Sequence, residues 1–293
     1  MPRRHGGVDA TPPASRSVPA VTSDVLLVGC GDLGASIGLR LADLGHDVLG
    51  LRRNADRVPA PLRGLSVDLT REAPDLPDLE PRFVVVALTT RPRTEEAYRA
   101  TYVDGMRRAL DAIGHPPQRA VLVSSTAVHG SRPDPPLEDE SAPPDPKDGP
   151  GRMLLAAEAL FLERLPHGTV LRLSGLYGGR STRLVDQVRE GRIEDPHRWT
   201  NRIHREDATA AVVHLLTMAE HPERLYLGTD DEPAQLGDVA AYLAARLGAP
   251  APPSADPALG HGKRLSNARL RATGWAPTRP SYREGYSGVT APT

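Results

Sequence analysis

The sequence predicts an α/β protein built on a Rossmann-type, doubly wound parallel sheet, with a smaller C-terminal α/β substrate region. Three observations predict it. Short, continuously apolar runs of strand length alternate with helical patterns, as parallel strands covered on both faces require. The first of these runs leads directly into a glycine-rich turn and an amphipathic helix. The chain has 293 residues of which 39% are hydrophobic, enough to bury a sizeable core.

The elements follow in order. Val25 to Val28 (VLLV) reads as a buried strand. Leu33, Ile37, Leu41 and Leu44 then mark one face of a helix, and Gly45 stands where a C-cap glycine belongs. Val48 to Leu51 is a second strand, Gly64 to Val67 a weaker third and Phe83 to Leu88 (FVVVAL) a strong fourth. A long helix follows, with Val103, Met106, Leu110 and Ile113 on one face; Ala120 to Val123 is a fifth strand. From Ser131 to Pro150, seven of 20 residues are proline, so the segment is irregular: a surface connection or an active-site flap. A helix spans about Gly151 to Arg164 and a sixth strand Val170 to Leu173. Further helices are expected over about Glu206 to Ala219 and Leu236 to Leu247, with a Pro/Ala loop from Ala249 to Pro257. A last short helix begins at Asn267, with Ser266 as N-cap and Gly274 as stop. The expected organisation is a disordered tail over 1–22, a dinucleotide-binding domain over 23–173, and a substrate-binding region over 174–293 that interleaves with it.

Composition excludes several classes. Thirty-six Lys+Arg balance 37 Asp+Glu, a net charge of −1, so nothing argues for nucleic acid or an anionic membrane. The only lysines are Lys147 and Lys263. The single cysteine, Cys30, rules out an intramolecular disulfide and a multi-cysteine metal site, and its place in the glycine turn suits small-residue packing. The ten histidines show no metal-ligand spacing, so no metal is expected. No apolar run is long enough to span a bilayer, and the N-terminal residues lack the apolar middle of a signal peptide; a soluble cytoplasmic protein is expected.

The glycine turn reads Gly29-Cys30-Gly31-Asp32-Leu33-Gly34, a GxGxxG between strand and helix. Gly29 permits the tight turn, Gly31 lets the backbone approach a pyrophosphate, and Gly34 lets the helix pack on the sheet. The helix N-terminus, at Asp32 and Leu33, offers N–H donors to the phosphates. NAD sites place an acid at the end of the second strand; this chain has Leu51-Arg52-Arg53-Asn54. A carboxylate repels a 2′-phosphate, whereas guanidinium groups bind one, so NADP(H) is favoured over NAD(H), with Arg52 and Arg53 as contacts.

Five segments in order, GCGDLG, VSSTAVHG (123–130), LRLSGLYGGR (171–180), NRIHREDA (201–208) and KRLSNARLRATGWAP (263–277), resemble the extended short-chain dehydrogenase/reductases, the NAD-dependent epimerase/dehydratase family. The resemblance spans about Asp24 to Gly285. It implies that Asp68 and Leu69 flank the adenine, that Ala87, Leu88 and Thr89 line the pyrophosphate and ribose, and that Leu173 and Ser174 approach the nicotinamide. Family chemistry uses a Ser/Thr to hold the substrate oxygen, a Tyr to exchange its proton and a Lys to lower the Tyr pKa. Ser125 matches the hydroxyl position, with Thr126 as a near alternative. The Tyr-x-x-x-Lys positions read Pro150 and Leu154, so the usual relay is absent. His129, where the family usually has a tyrosine, and Tyr177, after the sixth strand, are the candidate replacements; Glu138, Asp139 and Glu140 are further acids in the Pro-rich segment. The alternatives for these groups are structural: a loop histidine in a hydrogen bond, and a tyrosine packing its turn. The implied activity is reduction of a carbonyl or imine on a small polar metabolite, or the reverse. Two rivals stay open: an epimerase or dehydratase that retains its cofactor, and a non-catalytic cofactor-binding protein. If a homodimer forms, the resemblance places it on the helices beginning near Glu95 and Gly151.

Overall fold

The computed structural model describes residues 23–76, 79–179 and 181–290; the expected N-terminal tail lies outside them. Seven strands form the main sheet: β1 (Val25–Val28), β2 (Val48–Arg52), β3 (Arg63–Ser66), β4 (Phe83–Val86), β5 (Arg119–Ser125), β6 (Thr169–Leu173) and β7 (Leu225–Gly228). Their spatial order is β3-β2-β1-β4-β5-β6-β7, and every pairing is parallel. β1 lies between β2 and β4, with Val25 opposite both Val48 and Phe83. The chain reverses its direction of build there, and open α/β sheets bind ligands at that crevice.

The strands are apolar throughout because both faces are covered. Leu27 and Val85 face a core shared with Ile37 and Leu41 of α1 (Asp32–Asp43) and with Val212 and Leu215 of the helix Arg205–Thr217. Leu26, Val84 and Val86 face the opposite core, with Met106 and Leu110 from 95–111 and Phe161 from the helix Gly149–Arg164. Each fully buried side chain of this size contributes about 1.5–3 kcal/mol before entropy is subtracted. A third core lies under the helix Leu236–Leu247, where Val239, Leu243 and Leu247 meet Tyr177, Tyr282 and Tyr286. β7 and the helix Arg205–Thr217 come from the C-terminal half of the chain yet complete the large sheet layer.

Three details differ from the sequence reading. The helix after β4 is α-helical over Glu95–Tyr98, π-helical over Arg99–Gly105 and α-helical again over Met106–Asp111. Gly105 packs so close to Leu69 that a Cβ there would stand 3.2 Å from its carbonyl oxygen; a 3.6-residue apolar period does not reveal one widened turn. Asn267, not Ser266, occupies the N-cap of the helix Ala268–Ala272, while Ser266 Oγ accepts from Ala268 N–H. The Pro-rich segment is a strap stitched to the C-terminal region. Arg132–Pro133 pairs with His261–Gly262, Leu137–Glu138 with Arg264–Leu265, and the Glu140 carboxylate accepts from Leu227 N–H at 2.8 Å. Asp139 caps its own turn through Ser141 N–H and Oγ. These bonds hold all three acids in place.

Candidate active site

A cavity of about 590 Å³ opens at the carboxyl ends of β1, β2, β4, β5 and β6. Gly31, Asp32 and Leu33 form its floor at the start of α1. Arg52 stands at the end of β2, Ala87, Leu88 and Thr89 after β4, Ser125 at the end of β5, and Leu173 and Ser174 at the end of β6.

The glycine turn explains itself residue by residue. Gly29 has φ +100°, and a Cβ there would lie 2.6 Å from Ala87 O. At Gly34 it would lie 2.2 Å from Gly29 O. At Gly31 it would meet nothing within 4 Å. The fold therefore needs the first and third glycines for itself, while the second leaves room for something the chain does not supply. Ser174 gives a second test. It is only 5% exposed, it borders the cavity, and its Oγ has no hydrogen-bond partner among the described residues. A buried hydroxyl is ordinarily bonded, so this one awaits a ligand. Both observations fit a bound dinucleotide.

Arg52 Nη1 donates to Cys30 O at 2.9 Å and Arg57 O at 3.2 Å, which fixes the guanidinium at the cavity mouth. Arg53 is exposed beside it. Asn54 uses its side chain to accept from Asp56 N–H. Cys30 is fully buried, packs against Gly50 and has its thiol pKa raised by that burial. Asp68 turns its carboxylate to Thr70, whose N–H and Oγ1 it accepts, and these bonds hold its pKa down. Leu69 is a core residue whose carbonyl accepts from Arg108.

The catalytic candidates separate. Ser125 is half-buried in the cavity wall; its Oγ accepts from Ala127 N–H at 3.1 Å, leaving its own O–H to donate outward. Thr126 is buried, and its carbonyl accepts from Lys263 Nζ, which also donates to His129 O at 3.0 Å. Lys263 thus pins the turn that carries Ser125, and burial lowers its pKa to about 8. His129 is 5% exposed and lies away from the cavity, with Nε2 3.2 Å from Arg172 Nη1. Tyr177 is buried against Tyr286 and His204, donates to Ser281 O, and has its pKa raised by burial. In place of these two, Tyr98 and Tyr102 reach the cavity beside Pro150 and Leu154. Sequence reasoning passed over both; their one signal was a spacing of four on the helix after β4.

Burial, with Arg172 and Lys263 close by, pushes the His129 pKa down to about 4. The sign follows. The unfolded chain takes up this proton near pH 6.5 and the native one near 4, so stability falls as pH drops across that window and is level above it. His129→Gln is expected to flatten that slope in urea melts between pH 4 and 6.5; an unchanged slope would locate the proton uptake elsewhere.

No family model matches the sequence. A 3-diazoavenalumate denitrifying reductase from Streptomyces sp is 31% identical over 89% of this chain and 98% of its own. A Methylobacillus flagellatus protein assigned to the NAD-dependent epimerase/dehydratases is 38% identical, with a TM-score of 0.78 over 91% of this chain and 97% of that one. The chain belongs to the NAD-dependent epimerase/dehydratase family. The UDP-glucuronic acid 4-epimerase of Bacillus cereus, solved with UDP-glucuronic acid and NAD, covers 90% of this chain and 96% of its own at a TM-score of 0.73 and 17% identity, and shares the fold. Among the described residues no helix is long and apolar enough to cross a membrane, and no group of three His, Cys, Asp or Glu side chains is set to hold a metal.

Proposed function

We propose that the protein is an NADP(H)-dependent reductase acting on a carbonyl, imine or similarly electrophilic group of a small polar metabolite. The observation that carries this reading is the cavity wall that holds Ser125, Pro150 and Leu154, the last two at the positions where the family resemblance implies a proton-exchanging pair. Oxidising an alcohol needs a base to take its proton, and neither residue is one. Reducing an electrophile needs hydride delivery, a hydrogen bond to the acceptor atom, which Ser125 O–H provides, and a proton for the anion so formed, which water entering the open cavity would supply, leaving hydroxide. An epimerase, which must oxidise and then reduce its own substrate, fits this wall less well. The relative named as a denitrifying reductase supports the reductive direction.

The bound nicotinamide nucleotide supplies the hydride. The chain's part is positional. The N–H groups at the start of α1 would hold the phosphates, Ser174 and Leu173 would border the nicotinamide, and Ser125 would donate to the acceptor atom. Losing a general acid costs about 10²–10⁴ in rate, which alignment of the reactants offsets in part.

Preference for NADP(H) rests on Arg52, with Arg53 adding charge and no carboxylate at the end of β2 to repel a 2′-phosphate. Fluorescence titration is expected to show tighter binding of NADPH than of NADH. Arg52→Ala/Arg53→Ala should weaken NADPH by about tenfold or more and leave NADH nearly unchanged, the loss of charge-assisted bonds to one phosphate. Failure of both nucleotides to bind would overturn the reductase reading.

A further inference from the structure

The cavity is also bordered by two arginines, Arg93 from the loop after β4 and Arg205 at the start of its helix. Neither forms an ion pair among the described residues, although their neighbours do. Glu95 is taken by Arg152 and Glu206 by Arg279. Asp207 accepts from Thr278 and from Arg279 N–H. The two other charged groups of the cavity are accounted for, Asp32 beside the glycine turn and Arg52 on its two carbonyls. Positive charge is therefore left over in the cavity lining.

Another part of the cavity lining is apolar and partly aromatic. Tyr98 and Tyr102 stand with ring centroids 5.0 Å apart at 37°, and the Arg93 guanidinium lies 6.0 Å over the Tyr98 ring. The π-helical turn sets Tyr102 into the cavity wall, and its phenol has no hydrogen-bond partner among the described residues. Burial and the neighbouring Tyr98 raise its pKa to about 12, so the phenol stays a donor at neutral pH. A sugar ring needs hydrogen-bond partners for each hydroxyl it buries. Pro150, Leu154 and the two rings offer few.

We propose that the acceptor is an organic anion with a flat, unsaturated body, its carboxylate drawn to Arg205 and Arg93 and its body lying against Tyr98, Tyr102 and Leu154. This inference rests on the reductase reading and names its substrate class.

The test is calorimetric titration of the full chain, alone and saturated with NADP⁺. The probes are cinnamate and benzoate, their uncharged amides, and UDP-glucose. The carboxylates are expected to bind at least tenfold more tightly than the amides, more weakly as salt is raised, and more tightly than UDP-glucose. Arg205→Gln should lower carboxylate affinity about tenfold, with NADPH titration as the control for an intact fold. Tyr102→Phe should weaken both the carboxylates and the amides, because it removes a donor and no charge. Equal binding of acid and amide, binding of neither, or an Arg205→Gln protein that binds like the parent would overturn the proposal. Charge-dependent carboxylate binding without any NADPH binding would leave the anion site standing and remove the reductase. NADPH binding without carboxylate binding would do the opposite.

Discussion

An aspartate at position 31 is expected to remove dinucleotide binding and leave the protein as stable as the parent. Gly31 has φ −81° and ψ −162°, extended backbone that any residue adopts, and a Cβ there meets no atom within 4 Å. It is also the N-cap of α1, where aspartate is among the favoured residues. The fold therefore has no objection to the change. A bound pyrophosphate does, because the new carboxylate occupies its space and places like charges together. Such juxtaposition costs several kcal/mol, or about 10²–10³ in affinity. Gly34→Ala is the contrast: its Cβ would fall 2.2 Å from Gly29 O, so turn and helix must part and stability falls with binding. NADPH titration read beside a thermal melt separates the two. Undiminished binding by Gly31→Asp would show that the nucleotide does not sit in this turn.

The parts of the fold legible in the sequence are those where one local pattern has one physical cause. VLLV and FVVV are apolar at every position because both faces are covered, and GCGDLG carries glycines at the positions a tight strand-to-helix turn needs. What stayed hidden depends on residues that meet only in space. His129 reads as a loop residue after β5, yet β6 brings Arg172 to its ring, and the environment made there removes it from acid–base work near neutral pH. Tyr177 looks free to face the cleft until Ser281, more than a hundred residues on, accepts its hydroxyl. The Pro-rich strap looks like a flap because prolines leave short, broken pairings that no periodicity reports. Its partners, 261–262 and 264–265, lie near the other end of the chain. The tyrosines of the cavity were the converse case: Tyr98 and Tyr102 look like core residues of an amphipathic helix, and the widened turn at 99–105 brings one of them to the cavity wall.

The substitution with the largest expected effect on stability is Arg172→Leu. Arg172 stands in β6, whose pattern TVLRL is otherwise apolar or small, and its side chain is 6% exposed. It holds the 8% exposed carboxylate of Glu158 from two sides, Nε at 3.0 Å and Nη2 at 2.7 Å. Ser124 Oγ donates to the same carboxylate at 2.5 Å, and Arg172 Nη1 faces His129 Nε2. Because a guanidinium only donates, Nε2 must accept, which puts the imidazole proton on Nδ1. Leucine fills much of the volume yet leaves the buried Glu158 carboxyl without its guanidinium partner. Removing one partner of such a pair costs about 3–5 kcal/mol. At about 2–4 °C per kcal/mol for a protein approaching this size, Tm should fall by about 6–20 °C. Arg172→Leu/Glu158→Leu should recover much of that loss, since an apolar pair of similar volume replaces an ion pair at little net cost. The damage should also reach the cavity, because Leu173 and Ser174 follow Arg172 along β6 and Ser125 follows Ser124 along β5. NADPH affinity should therefore weaken in the single variant and return in the double. A double variant as unstable as the sum of its parts would show that Arg172 and Glu158 contribute independently, and that the buried cluster does not act as one unit behind the active site.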